Sequence, residues 1–276
     1  MHSTPRRSRL SATLAVAGAL SAALAAVPAS AALVDVTVTV QNLAPANGIA
    51  FAPLHLGFHG GSFDAFNLGG VATEPIISVA EGGAGGAWQA AFAAADPTAT
   101  RGTVGGLLLP GASSSLTLRV DTTLNPLFSF AGMVVPSNDF FIGNDSPTEY
   151  RLFDASGALT LPTITVRANE IWDAGSEVFD PAAAAFVGNN DLRTPQNSVV
   201  AFNFGELAAF NGLSTGAGYT FNSGLSAGSE VYRISFEVSA VPEPGSMALL
   251  TAGLLAVGFL ARRRREADTS GAMTPA

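Results

Sequence analysis

Hydrophobic and polar residues alternate along several segments of the central chain. Segment 34–40 has valine at every even position and Asp or Thr between them, which places the valines on one face of a strand. Segments 116–120 and 232–238 repeat this pattern. Segments 127–135 and 198–204 are short runs rich in β-branched and aromatic residues. All five segments are predicted to be strands.

Clusters of Gly, Pro, Asn and Ser separate the predicted strands. Only two segments, the Ala-rich 87–95 and 206–210, are candidates for short helices, and they do not alternate with strands as in α/β proteins. The sequence therefore predicts an all-β fold, an antiparallel β-sandwich of about eight strands with one or two short helices.

The amino terminus has the layout of an export signal. Basic residues including Arg6 and Arg7 precede an apolar run over 10–27, and Ala29 and Ala31 supply the small residues of a cleavage site. We therefore predict a signal peptide over residues 1–31. The adjacent arginines leave both the general secretory route and the twin-arginine route open.

The carboxyl end has a second signal. Pro242, Glu243 and Pro244 interrupt regular structure, because proline lacks a backbone donor, and an almost wholly apolar segment follows. Four basic residues end that segment and suit anionic headgroups on the cytoplasmic side: Arg262, Arg263, Arg264 and Arg265. The pattern predicts an apolar helix that enters the membrane through residues 246–261, although about 20 residues usually span a bilayer.

This combination resembles the PEP-CTERM sorting signal of Gram-negative bacteria. The resemblance implies recognition by an exosortase-type processing enzyme, cleavage near Pro-Glu-Pro, and delivery to the outer surface or extracellular matrix after a transient stay at the inner membrane. It divides the chain into a signal peptide (1–31), one domain (32–240), a sorting and anchor segment (241–265) and a short polar tail (266–276).

Charge and composition narrow the function of the domain. Residues 32–241 contain six arginines, no lysine and eighteen Asp or Glu residues, a net charge of −12 that repels nucleic acid and attracts cations. The chain has no cysteine, so disulfides, thiol nucleophiles and cysteine zinc sites are excluded. Calcium is the expected cation, since oxygen ligands are abundant.

Two matches to the G-x-S-x-G nucleophile motif, at 212–216 and 224–228, have no downstream histidine to serve as general base. The Gly-rich segment 82–86 lacks the lysine of a phosphate-binding loop. We therefore predict that the protein is not an enzyme.

Three acidic residues follow predicted strands or turns. Asp139 comes just after an apolar strand, and Asp173 and Glu177 flank a turn at Gly175. Carboxylates that loops bring together repel one another unless a cation neutralises them, and calcium accepts several oxygens in loose geometry. Ordinary exposed loop acids are the alternative interpretation.

Several sequence blocks resemble bacterial spondin-domain proteins. They are LHLGFH (54–59), FNLGGVATE (66–74), VAEGG (79–83), MVVPSNDFFIG (133–143) and WDAGSE (172–177). The resemblance implies the eight-stranded sandwich of the F-spondin amino-terminal domain, with calcium held by loops at one end and a role in adhesion. By motif, Asp139, Asp173 and Glu177 occupy the family's calcium-ligand positions.

Two functions are therefore expected. The first is an exported, calcium-binding adhesion or structural module at the cell surface, with exopolysaccharide or matrix proteins as partners and no nucleic acid. The alternative is a secreted carbohydrate-binding or carbohydrate-active protein in which the same carboxylates act as acid and base.

Overall fold

Two antiparallel β-sheets pack against each other in the computed structural model, which describes residues 33–241, 249, 251–260, 262 and 263. The elements in chain order are β1 (Leu33–Asn42), β2 (Ala50–Phe51), β3 (Leu54–His59), α1 (Glu74–Gly82), α2 (Gly86–Ala95), β4 (Thr100–Val104), β5 (Ser113–Asp121), β6 (Leu127–Val135), β7 (Phe140–Gly143), β8 (Tyr150–Arg151), β9 (Thr163–Arg167), β10 (Trp172–Asp173), β11 (Ala201–Phe202) and β12 (Glu230–Ala240), with 3-10 helices at Ala168–Glu170, Asn190–Leu192 and Phe204–Phe210.

The predicted all-β class is confirmed. Among the described residues, eight strands have four or more residues, and four two-residue strands, β2, β8, β10 and β11, add to them. Segment 198–204, predicted as one strand, contains only the short β11.

The four-stranded sheet has the order β5-β1-β12-β9. Val36, Val38 and Val40 of β1 are fully buried and alternate with partly exposed threonines, as the period of two predicts. Val34 pairs with Ala240, so the chain enters and leaves the domain at the same end of the sheet. The opposite end of β1 is held by Asn42, whose side-chain amide donates to the carbonyl of Ile49 at 2.8 Å.

The second sheet has the order β11-β10-β7-β6-β3-β4, with β2 and β8 also paired to β6. Every residue of β3 and of β6 is buried. Their inner faces contact the four-stranded sheet, and their outer faces contact α1 and α2 through a second apolar cluster that includes Trp88 and Phe92.

Helix α2 confirms the prediction for 87–95, and the segment 206–210 forms part of a 3-10 helix. Helix α1 was not predicted. Pro75 lies in its first turn, and Gly83 closes it in the left-handed conformation with φ of 64°.

Both histidines of the domain are buried in β3. The ring of His55 bonds to Thr103 Oγ1 at 3.0 Å and to the Gly83 carbonyl at 3.1 Å, and that of His59 bonds to Ser129 Oγ at 2.9 Å.

Several predicted signal residues lie outside the described part of the chain: Ala29, Ala31, Pro242, Glu243, Pro244, Arg264, Arg265 and the tail 266–276. Within the apolar segment predicted to enter the membrane, residues 251–260 are helical. Across the described residues, none of the helices has the length and apolar character needed to span a membrane.

Candidate functional site

The pairing of two short strands places Asp139 beside Asp173. Asp139 immediately precedes β7, and Asp173 lies on β10 opposite Phe140. The backbone carbonyl of Asp139 accepts a hydrogen bond of 3.1 Å from the amide of Ala174, which extends this pairing by one step. The two carboxyl groups influence each other, since the charge of Asp173 contributes to a raised pKa of Asp139.

A tight turn then brings Glu177 close to Asp139. Gly175 adopts a φ of 66°, and a side chain there would approach the Val199 carbonyl oxygen to 2.7 Å, so the turn requires glycine. After the turn, Oδ2 of Asp139 accepts hydrogen bonds from the amides of Ser176 and Glu177 at 2.7 and 3.0 Å. Asp139 therefore holds the loop that carries Glu177.

Glu177 is buried, with 3% of its surface exposed. Its Oε1 forms an ion pair of 3.1 Å with Nη1 of Arg193, while its Oε2 is buried and has no hydrogen-bond partner. Arg193 also donates from Nη2 to the Glu81 carbonyl at 2.6 Å, so it connects the Glu177 loop to the end of α1. The unpaired oxygen of Glu177 is the feature of the site that most needs a partner.

A fourth carboxylate comes from Glu206, in the 3-10 helix Phe204–Phe210. Together with Asp139, Asp173 and Glu177 it lines a cavity of about 440 Å³. We call this the carboxylate cavity. Glu206 was not predicted from the sequence, because no spacing or motif connects a residue of that helix to the strands and turn that hold the other three.

Burial and mutual repulsion make ionisation of these groups unfavourable. Burial, reinforced by the charge of Asp173, raises the pKa of Asp139 to about 6. Burial likewise raises the pKa of Glu177 to about 7, with Glu81 and Asp139 adding to the effect and Arg193 opposing it. The pKa values of Asp173 and Glu206 are also raised, mainly by burial. The cavity therefore favours a bound proton or a bound cation.

The donor set suits a hard cation such as calcium, because all four side chains offer oxygen and one oxygen is buried without a partner. However, no group of three His, Cys, Asp or Glu side chains within the described residues already has the geometry of a metal site.

The family model described as the PEP-CTERM protein-sorting motif matches residues 240–265. A search of curated proteins finds no match. The resemblance to spondin domains receives no support from these comparisons and stays a prediction. The carboxyl end is thus a PEP-CTERM sorting motif, the mark of an exported protein that is sorted by an exosortase and anchored in the cell envelope.

Proposed function

We propose that the protein is a non-enzymatic adhesion or structural module of the cell surface or extracellular matrix, and that it binds calcium in the carboxylate cavity. The observation that carries this proposal is the position of Asp139, Asp173 and Glu177. These residues come from separate elements and line one cavity, and Glu206 joins them there.

The charges around the cavity favour a bound cation. Glu177 has one cationic neighbour, Arg193, which contacts only Oε1 and leaves Oε2 without a partner. Calcium accepts 6 to 8 oxygens in flexible geometry, so carboxylates from loops can provide part of its shell and water the rest. The net charge of −12 over residues 32–241 adds a long-range attraction.

A bound ion would connect loops that otherwise repel one another. Asp139 immediately precedes β7, Glu177 follows the Gly175 turn, and Glu206 lies in the 3-10 helix Phe204–Phe210. Phe179 and Phe202 line the same cavity with 37% and 42% of their surfaces exposed. We propose that the edge of the cavity formed by Phe179 and Phe202, once calcium has ordered it, contacts exopolysaccharide or a matrix protein.

Thermal unfolding with and without calcium tests the proposal. A ligand that binds only the folded state at a hundredfold excess over Kd stabilises it by about 2.7 kcal/mol. For a domain of this size, that corresponds to a rise in Tm of roughly 5 to 11 °C.

Asp139→Asn and Asp173→Asn should remove most of this shift, and Glu206→Gln should reduce it. Asp64→Asn changes an exposed acid outside the cavity and should leave the shift intact. A wild-type Tm that responds neither to millimolar calcium nor to a chelator would refute the calcium site.

The surface location has its own test. Replacing Arg262, Arg263, Arg264 and Arg265 with serine should remove the positive stop and leave unprocessed precursor in the membrane fraction. Intact-mass analysis of the wild-type protein from the cell surface should find a chain without the arginine cluster. Surface protein that retains Arg262–Arg265 would contradict exosortase processing.

A secreted carbohydrate-active protein is the second candidate, favoured by the raised pKa values of Asp139 and Glu177. A carboxyl group with a pKa of about 6 to 7 can donate a proton near neutral pH, as a glycosidase acid does. Release of reducing sugar from surface polysaccharide, abolished by Glu177→Gln and insensitive to chelator, would favour this candidate over the first.

A further inference from the structure

A second cavity, of about 420 Å³, lies on the other side of β10. Successive residues of a strand point to opposite faces, so Trp172 lines this cavity while Asp173 lines the carboxylate cavity. Because Phe130, Tyr150 and Trp172 contribute to its wall, we call it the aromatic cavity.

The aromatic walls are held in place by their neighbours. Nε1 of Trp172 donates to the Gly143 carbonyl at 2.9 Å, which fixes the orientation of the indole. The rings of Phe130 and Tyr150 lie 5.9 Å apart between centroids. Phe130 is buried, whereas Trp172 and Tyr150 are half-buried and present part of their surfaces to the cavity.

Asp145, Glu149 and Glu170 also line the cavity, and no basic side chain is among its lining residues. Two of these acids are positioned by backbone amides. Asp145 accepts from the amide of Leu68 and Glu170 accepts from the amide of Arg167, both at 2.6 Å. The guanidinium of Arg167 turns away to Glu230, at 3.6 Å, so it does not neutralise this cavity.

We propose that the aromatic cavity binds an organic cation of the alkylammonium class, with its methyl or methylene groups against Trp172 and Tyr150 and its charge facing Asp145, Glu149 and Glu170. An indole face attracts such a cation more strongly than any other side-chain ring, and nearby carboxylates add an attraction that a neutral ligand lacks. A hydrated metal ion would gain nothing from the aromatic walls.

The electrostatics of Glu149 support this proposal. Partial burial and the charges of Glu170 and Asp145 raise its pKa, while a hydrogen bond from Tyr150 opposes the rise. A cation in the cavity would offset the repulsion among Asp145, Glu149 and Glu170.

Calorimetric titration of the purified exported protein with choline, in the presence of a calcium chelator, tests the proposal. The matched control ligand is 3,3-dimethylbutan-1-ol, which has the shape of choline without its charge. We expect choline to bind and the neutral alcohol to bind at least about tenfold more weakly. Butylammonium, as a second probe, distinguishes a primary from a quaternary ammonium group.

Fluorescence gives a second readout. Trp88 is fully buried, so a change in tryptophan emission on adding choline reports on Trp172. Trp172→Leu should abolish binding, and Trp172→Phe, which keeps an aromatic face, should restore part of it. Glu149→Gln and Glu170→Gln should each weaken binding about two- to fivefold, whereas Glu237→Gln, at an exposed position outside the cavity, should not.

Sedimentation with phosphatidylcholine vesicles distinguishes a lipid headgroup from a free amine, and binding of either supports the proposal. Asp139→Asn, which damages only the carboxylate cavity, should leave choline binding unchanged, so the two sites can fail independently. Equal affinity for choline and the neutral alcohol, or no binding of any ammonium probe at millimolar concentration, would overturn the proposal.

Discussion

The two sheets of the domain bury their residues in different ways. Along β5 and β1 of the four-stranded sheet, buried or half-buried positions alternate with more exposed ones, because one face meets solvent. In β3 and β6 of the other sheet every residue is buried, because α1 and α2 cover the outer face. Alternation of hydrophobic and polar residues therefore identifies the strands of a sheet with one solvent-exposed face. It does not identify the strands of a sheet that is covered on both faces.

The covered face also packs more closely. The rings of Phe63 and Phe92 stack with centroids 4.2 Å apart, and Trp88 meets Phe92 edge-on at 5.0 Å. Gly57 of β3 makes room for this cluster, since a Cβ there would lie 2.2 Å from the Phe92 ring. On the solvent-exposed face of the four-stranded sheet, the cross-strand contacts between β1 and β5 are polar: a hydrogen bond between Thr37 and Thr117 and an ion pair between Arg119 and Asp35.

The largest expected effect follows from removing a side chain under the helices. Phe92→Ala should lower the free energy of unfolding by about 3–5 kcal/mol, because it leaves a cavity among Phe63, Trp88 and His59. Denaturant unfolding measures this loss. Phe179→Ala, which truncates a more exposed ring, is the control and should cost less. Equal losses would mean that the helices add little to the stability of the sheet they cover.

Filling the space at Gly57 should have the next largest effect. Gly57→Ala forces the Phe92 ring to move and should cost about 1–3 kcal/mol. In the double variant with Phe92→Ala the clash disappears, so the two costs should not add. If the losses of the two single variants add fully in the double variant, the contact with Phe92 is not the reason why position 57 requires glycine.

The pH dependence of stability should report on His59, which packs against Phe92 on the covered face. Burial lowers the pKa of His59 to about 4, so the unfolded chain takes up the proton first and stability falls as pH falls from about 6.5 towards 4. Asp139 has a raised pKa and contributes the opposite trend, so wild type and His59→Gln must be compared directly. Between pH 7 and about 5.5, the wild type should lose on the order of 1 kcal/mol relative to the variant, allowing for screening. Parallel pH profiles would contradict this assignment.

The smallest effect on stability is expected on the solvent-exposed face of the four-stranded sheet. Thr37→Ala removes an exposed hydroxyl and its bond of 2.8 Å to Thr117, and it should change the free energy of unfolding by no more than about 0.5 kcal/mol. Chemical denaturation compares it with Phe92→Ala. A loss above 1 kcal/mol would show that the two outer faces are more alike than their burial indicates.

The contrast between the two sheets also explains which strands and helices could be predicted from the sequence. The alternating segments became β1, β5 and β12, and the apolar run 127–135 became β6 with the same limits. Helix α1 was missed because its apolar residues follow short Gly-rich blocks, although Pro75 and Gly83 were available as start and stop signals.

At the candidate site, the sequence predicted that Asp139, Asp173 and Glu177 would lie together, and all three line the carboxylate cavity. Glu206 and Arg193 could not be predicted. Both come from irregular segments, where tertiary packing rather than local pattern sets the position of a side chain.

The pairing of Val34 with Ala240 has a mechanical consequence for a protein held by its carboxyl end. A pull on that end acts along β12, a central strand with β1 on one side and β9 on the other. When the opposing force acts at the far end of the sheet, it loads the hydrogen bonds of β12 together instead of opening them one at a time, so we expect the domain to yield in shear and at high force. Force spectroscopy through a carboxyl-terminal handle and a second handle at the far end of the sheet would measure this resistance.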